Sequence, residues 1–128
     1  MRVIFFLPEP IGACERFQGL LELVNSVAET VVTRTIDDLT HNLRQPKHDL
    51  AFAMLFSGSK SELSDLLKMK DLLEDVRIVL ILPDRDKETT MMGHKLYPRF
   101  LTDIEDKSNT LELVINKMLD NLNPNREI

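Results

Sequence analysis

Leu50-Ala51-Phe52-Ala53-Met54-Leu55-Phe56 is an unbroken apolar run. A strand that alternates apolar and polar residues lies with one face in water; a continuous run reads as a strand covered on both faces, the habit of parallel sheets. Working outward, runs of strand length recur at Val3 to Leu7, Thr30 to Val32 and Ile78 to Leu82, with a weaker fifth at Arg99 to Thr102. Between them the period changes. Phe17, Leu20, Leu21, Val24 and Ala28 follow a helical stripe, as do Leu63, Leu66, Leu67 and Lys70, and Leu111, Val114, Ile115, Met118, Leu119 and Leu122 make the cleanest one. Such stripes are core-facing sides of helices rather than ligand boxes.

Helix starts are marked by chemistry. Ser59-Lys60-Ser61-Glu62 has the capping-box form, in which the hydroxyl accepts a first-turn N–H and the carboxylate reaches back toward the cap. Thr35-Ile36-Asp37-Asp38 is a weaker version, opening a short helix toward Leu43 that must end before Pro46. The order is strand then helix, five times over, so right-handed crossovers predict an α/β fold: a five-stranded parallel sheet with helices on both faces. Residues 1–122 form one domain on this reading, and 123–128, with Asn123-Pro124-Asn125, a short tail without a linker to a further domain.

Length and composition restrict function. The 128 residues suit a single core, and 43% hydrophobic with 29% charged residues is ordinary for a globular domain. With 16 Lys and Arg against 21 Asp and Glu the net charge is −5, which argues against a phosphate-gripping, nucleic-acid-binding surface. Cys14 is the single cysteine and has no disulfide partner within the chain, which predicts a cytoplasmic protein. The start is apolar only from Val3 to Leu7 before Pro8, well short of the ~20 residues of a membrane span, so no membrane association is expected.

In parallel α/β sheets, ligands gather beyond the carboxyl ends of the strands. The segments there are Pro8 to Cys14, Phe56 to Ser59, Pro83 to Asp86 and Asp103 to Asp106. Ser57, Gly58 and Ser59 could cradle an anion at a helix start, and the rim acids Glu9, Asp84, Asp86, Asp103 and Asp106 could hold Mg²⁺ or another divalent cation. Against a nucleotide site, neither G-x-x-x-x-G-K-[ST] nor G-x-G-x-x-G occurs, and Gly12, Gly19, Gly58 and Gly93 are scattered. Cys14 sits where a strand-to-helix loop could activate a thiol, but a phosphatase of that geometry needs an arginine six residues on, where Leu20 stands. His41, His48 and His94 show no ligand spacing.

The phrases Val3-Ile4-Phe5-Phe6, His48-Asp49-Leu50-Ala51-Phe52-Ala53-Met54 and Arg99-Phe100-Leu101-Thr102, within this alternation, resemble a response-regulator receiver domain from Arg2 to Asn121. The resemblance implies a three-layer αβα sandwich of the flavodoxin-like, CheY-like type with strand order 2-1-3-4-5. Receivers carry paired acids after the first strand to hold Mg²⁺, a phosphoacceptor aspartate ending the third, a Thr or Ser ending the fourth and a Lys ending the fifth. Here those positions read as Leu7 and Pro8, or Pro8 and Glu9; as Met54; as Leu82 or Pro83; and as Asp103. A thioether has no nucleophilic oxygen, and an acid in the lysine position repels phosphate. The expectation is therefore a degenerate pseudo-receiver without catalytic residues, metal or cofactor.

What remains is surface. The segment Asp86 to Pro98 makes a poor helix, with Met91 and Met92 adjacent and Gly93 between them and its end, so one methionine is expected to be exposed. Met91, Met92, Tyr97, Arg99 and Phe100 are of the residue types enriched in interfaces. The resemblance places the receiver dimer and output face in the same region. The reading is a protein interaction or dimerisation module of a signal-transduction system, with a protein partner or a second copy of itself. The alternative is a small flavodoxin-like protein binding a nucleotide, anion or cation at the strand ends.

Overall fold

The computed structural model describes residues 2–8, 15–46, 48–106 and 109–122. The candidates Glu9 and Cys14, and the tail 123–128, lie outside the described residues. The chain runs β1 (Arg2–Phe6), α1 (Glu15–Asn25), β2 (Glu29–Thr33), α2 (Ile36–Leu43), β3 (Leu50–Phe56), α3 (Lys60–Lys68), α4 (Lys70–Leu73), β4 (Ile78–Leu82), α5 (Lys87–His94), β5 (Phe100–Asp103) and α6 (Thr110–Leu122). All strand pairs are parallel, as the apolar runs predict, and the order is β2-β1-β3-β4-β5, as the resemblance implies.

Burial follows from this order. The inner strands β1, β3 and β4 are almost wholly buried, while the edges β2 and β5 are mixed. Alternate residues supply two apolar layers. Val3, Phe5, Phe52, Met54, Phe56, Val79 and Ile81 meet α1 and α6, through Phe17, Leu20 and Val24 on one and Leu111, Ile115 and Leu119 on the other. The Phe17 and Phe56 rings meet edge to face, with centroids 4.4 Å apart. On the other face Ile4, Phe6, Ala53, Leu55, Ile78, Leu80 and Leu82 pack on Leu39 of α2, Leu63 and Leu66 of α3, and Leu73 of α4. Each fully buried aliphatic or aromatic side chain contributes on the order of 1.5–3 kcal/mol.

Several local expectations are corrected. α1 ends at Asn25, so Ala28 falls in the turn before β2. The stripe predicted to run unbroken to Lys70 is interrupted at Met69, where ψ moves to 20° and a separate short helix, α4, begins. β5 starts one residue later than predicted, because Arg99 spends its N–H on Ile78 O, 2.8 Å away, while Phe100 opens the ladder against Val79. Gly93 is not a flaw in α5: a Cβ there would stand 2.9 Å from Leu82 Cδ2 and 3.2 Å from Leu101 Cδ1, so its bareness lets the helix press onto β4 and β5.

Among the described residues no helix is long and apolar enough to cross a membrane.

Candidate functional site

The register fixes what stands at the carboxyl rim. Phe6 pairs with Leu55, Phe56 with Ile81, and Leu82 with Asp103. Met54, read from the sequence as the phosphoacceptor position, is therefore mid-strand, fully buried between Phe5 and Val79. The strand ends two residues later, and Ser57 stands at the rim level. Its hydroxyl is buried and donates to Ile81 O at 3.0 Å, while its N–H donates to the same carbonyl at 2.9 Å.

The predicted anion cradle is already filled from within. Ser59 is the N-cap of α3, its Oγ accepting the Glu62 N–H at 3.2 Å. Glu62 Oε1 accepts the Gly58 N–H at 2.6 Å. The capping box closes on itself, one residue earlier than the usual reciprocal bond. Ser57 is turned inward, Gly58 donates to a carboxylate of its own helix, and Ser59 caps; none of the three is left aimed at a ligand.

The rim acids are likewise divided among separate partners rather than converging. Lys60 Nζ lies 3.3 Å from Asp86 Oδ2 and 3.9 Å from Glu88 Oε2. Its ammonium is held above its ordinary pKa, first by the hydrogen bond to Asp86 and then by the charge of Glu88. Arg85 Nε donates to Asp103 Oδ1 at 3.0 Å, with Glu105 Oε2 3.8 Å away. Asp106 Oδ2 accepts the Thr102 hydroxyl at 2.8 Å. Asp84 Oδ1 accepts the Asp86 N–H at 3.0 Å, a local turn that leads into α5. The neighbouring Thr89 side chain first, and then this N–H, hold the Asp84 carboxyl below its ordinary value. Among the described residues no three His, Cys, Asp or Glu side chains come together as a metal site.

The five residues expected to share an interaction face are split. Met91 is 59% exposed and Tyr97 81% exposed, while Met92 is half-buried against the α2–α3–α4 layer. Phe100 packs on the opposite layer, with α1 and α6. Arg99 lines a small cavity of about 140 Å³ with Arg77, Met118 and Asn121. Adjacent positions on α5 diverge by about 100°, which parts Met91 from Met92, and β5 carries Phe100 into the layer under α1 and α6, so this contiguous stretch of sequence is not one surface.

Sequence reasoning missed a second feature at the same end of the molecule. A groove of about 390 Å³ opens between α4 and the end of α5, near the amino ends of β4 and β5, with Leu73, Val76 and Leu96 along its floor. Tyr97 forms one lip. Its φ is +51°, in the left-handed region, although it carries a bulky side chain and precedes Pro98. Lys70 Nζ lies 5.4 Å from the centroid of its ring. The signal available beforehand was the Tyr97-Pro98 pair, which has no helical or strand period; the break at Met69 came only with the fold.

No family model matches the chain, and no curated protein matches it in sequence. Among solved structures it is similar to a protein from Burkholderia pseudomallei K96243 described as pilus assembly-related, at 15% identity and a TM-score of 0.59, over 92% of this chain and 87% of that one. At that identity the likeness concerns the fold: a five-stranded all-parallel sheet in the order 2-1-3-4-5 within an α/β sandwich of the flavodoxin or CheY type.

Proposed function

We propose that this chain is a receiver-like domain without phosphoryl-transfer activity, working in the cytoplasm as an interaction module of a signalling or regulatory system, without metal or cofactor and with a protein partner or a second copy of itself. The observation that carries the reading is the contrast at its two ends. At the carboxyl rim the polar groups are bound to one another: Glu62 to Gly58, Arg85 to Asp103, Lys60 to Asp86, Asp106 to Thr102. No acid stands from Ala51 to Ser61 to accept phosphate. On α5 and just past its end, Met91 and Tyr97 present apolar surface to water within one short segment. The fold neighbour's description as pilus assembly-related accords with a role in organising other proteins.

An amide NMR spectrum before and after Mg²⁺ with beryllofluoride, a mimic of an aspartyl phosphate, tests the inert rim. Unchanged resonances at Ser57, Asp84 and Asp103 are expected, and clustered shifts there would overturn the reading in favour of ligand binding at the strand ends. Sedimentation velocity of the wild type against Met91→Ser with Tyr97→Ala tests the surface, as does recovery of bound protein. Loss of self-association or of the partner, with an unchanged fold, is expected; no change in either would overturn the interaction role.

A further inference from the structure

We infer that the groove between α4 and α5 is a receptor for an arginine side chain presented by a partner protein, with the Tyr97 ring as its stacking wall and Asp71 and Glu74 as its counter-charge. The inference rests on the interaction reading above and names the chemistry of the partner.

Three observations converge. The first is that the ring already attracts a cation. Lys70 lies four residues before Glu74 and beside Asp71, yet among the described residues its ammonium forms no ion pair with either and sits 5.4 Å from the Tyr97 centroid instead. An aromatic face at this distance attracts a positive group by its quadrupole, and a guanidinium, flat and weakly hydrated, suits it better than an ammonium.

The second is charge. Asp71 and Glu74 are exposed, line the groove, and form no ion pair among the described residues, whereas at the carboxyl rim Asp86 and Asp103 each have a basic partner. Three residues apart on helical backbone, with Glu74 at φ −56° and ψ −42°, they face the same way. Two carboxylates beside an aromatic wall and over an apolar floor match the fork of a guanidinium and the methylenes behind it. A volume of about 390 Å³ falls in the range, roughly 300–1,000 Å³, of sites that enclose a small ligand or one long side chain.

The third is the position of Tyr97 itself. A bulky residue in the left-handed region is strained, and strain persists where the surrounding structure enforces it. Here the Tyr97 N–H donates to His94 O at 3.0 Å, which closes the turn even though the following Pro98 disfavours helical backbone at the residue before it. The ring gains nothing by burial in return, being 81% exposed. A strained, exposed tyrosine that lines a groove is explained by what it meets there.

The test uses the ¹⁵N-labelled chain at low ionic strength, titrated with the blocked peptide acetyl-Gly-Arg-Gly-amide and with its citrulline analogue, which keeps shape and loses charge. Shifts confined to Glu74, Val76, Leu96 and Tyr97 are expected with the arginine peptide, and none with citrulline. Tyr97→Ala should abolish them, and Glu74→Gln should weaken binding several-fold. Lys70→Ala, by clearing the ring of its resident cation, should tighten binding about two- to five-fold. Lys95→Ala, which removes an equal charge from a residue outside the groove lining, should not. Shifts scattered over the acidic surface, equal shifts with citrulline, or tightening by Lys95→Ala to the same degree would overturn the inference. If the arginine peptide is silent while Tyr97→Ala still abolishes partner or self-association, the groove chemistry fails and the interaction role stands. If both are silent, both fail.

Discussion

The two ends of the sheet differ in how their charges are answered. At the carboxyl rim, where a fold of this kind usually does its chemistry, Lys60, Arg85, Asp86, Asp103 and Asp106 are tied into contacts of 2.8 to 3.9 Å. Near the amino ends of β4 and β5, Asp71 and Glu74 form no ion pair among the described residues and stand beside an exposed ring. Charges satisfied internally hold a loop in shape; charges left open on a concave apolar surface are available to another molecule. The location of a crevice in a fold family therefore says less about function than the state of the groups that line it.

The sharpest way to break this contrast is to give the carboxyl end an acid. Met54→Asp would succeed as a functional restoration only if Met54 reached the rim; it lies instead inside β3, fully buried between Phe5 and Val79. An unpaired carboxylate there should cost more than about 4 kcal/mol, read as loss of the cooperative unfolding transition in denaturant. Next comes the packing that sets α5, and hence Tyr97, against the sheet. Gly93→Val should destabilise by roughly 1–3 kcal/mol, because a Cβ already meets Leu82 at 2.9 Å and branching adds two methyl groups.

Smaller changes sharpen the comparison. Ser59→Ala removes the hydroxyl that accepts the Glu62 N–H and should cost about 1 kcal/mol by thermal unfolding, with the 2.6 Å Gly58–Glu62 bond weakened as the first turn frays. Tyr97→Asn, with a side chain that tolerates φ of +51°, should raise stability by about 0.5 kcal/mol while abolishing arginine capture, so stability and function would move in opposite directions.

The rim also has a pH signature. Asp84 is held below its ordinary 3.8, so its contribution is present above that pH and is lost as pH falls through the lower folded value. Lys60 is raised above 10.5, so its contribution is present below that pH and is lost as pH rises through the higher folded value. The stability gap between wild type and Asp84→Asn should therefore be widest at neutral pH and close on acidification below 3.8. A gap that stays constant through that range would show that the carboxylate is not held by the turn.

Much of the fold was legible. The continuous run at Leu50 to Phe56 and the shorter runs around it announced a covered parallel sheet, because burial on both faces removes alternation. Ser59 and Thr35 marked two helix starts through local chemistry, and both accept the expected N–H, from Glu62 and Asp38. The candidate sites were less legible. Ser57, Gly58 and Ser59 read as donors for a ligand, but whether a donor is free depends on Glu62 and Ile81, which the fold brings beside them. Of Met91 and Met92 one was expected to be exposed, and it is Met91; both were placed on one face, but adjacent positions on a helix diverge by about 100° and Met92 is half-buried.

What the sequence determined by itself is the five strands, the helices between them other than the separate α4, and the absence of an acid from Ala51 to Ser61, because periodicity, capping and residue chemistry act over a few residues. What only the tertiary structure decided is which groups meet. Arg85 found Asp103 across 18 residues, Phe100 and Tyr97 parted to different surfaces, and Lys70 came over a ring 27 positions away. Such encounters depend on strand order, on the pleat and on the break between α3 and α4, quantities set by the packing of the whole chain and written in no local stretch of it.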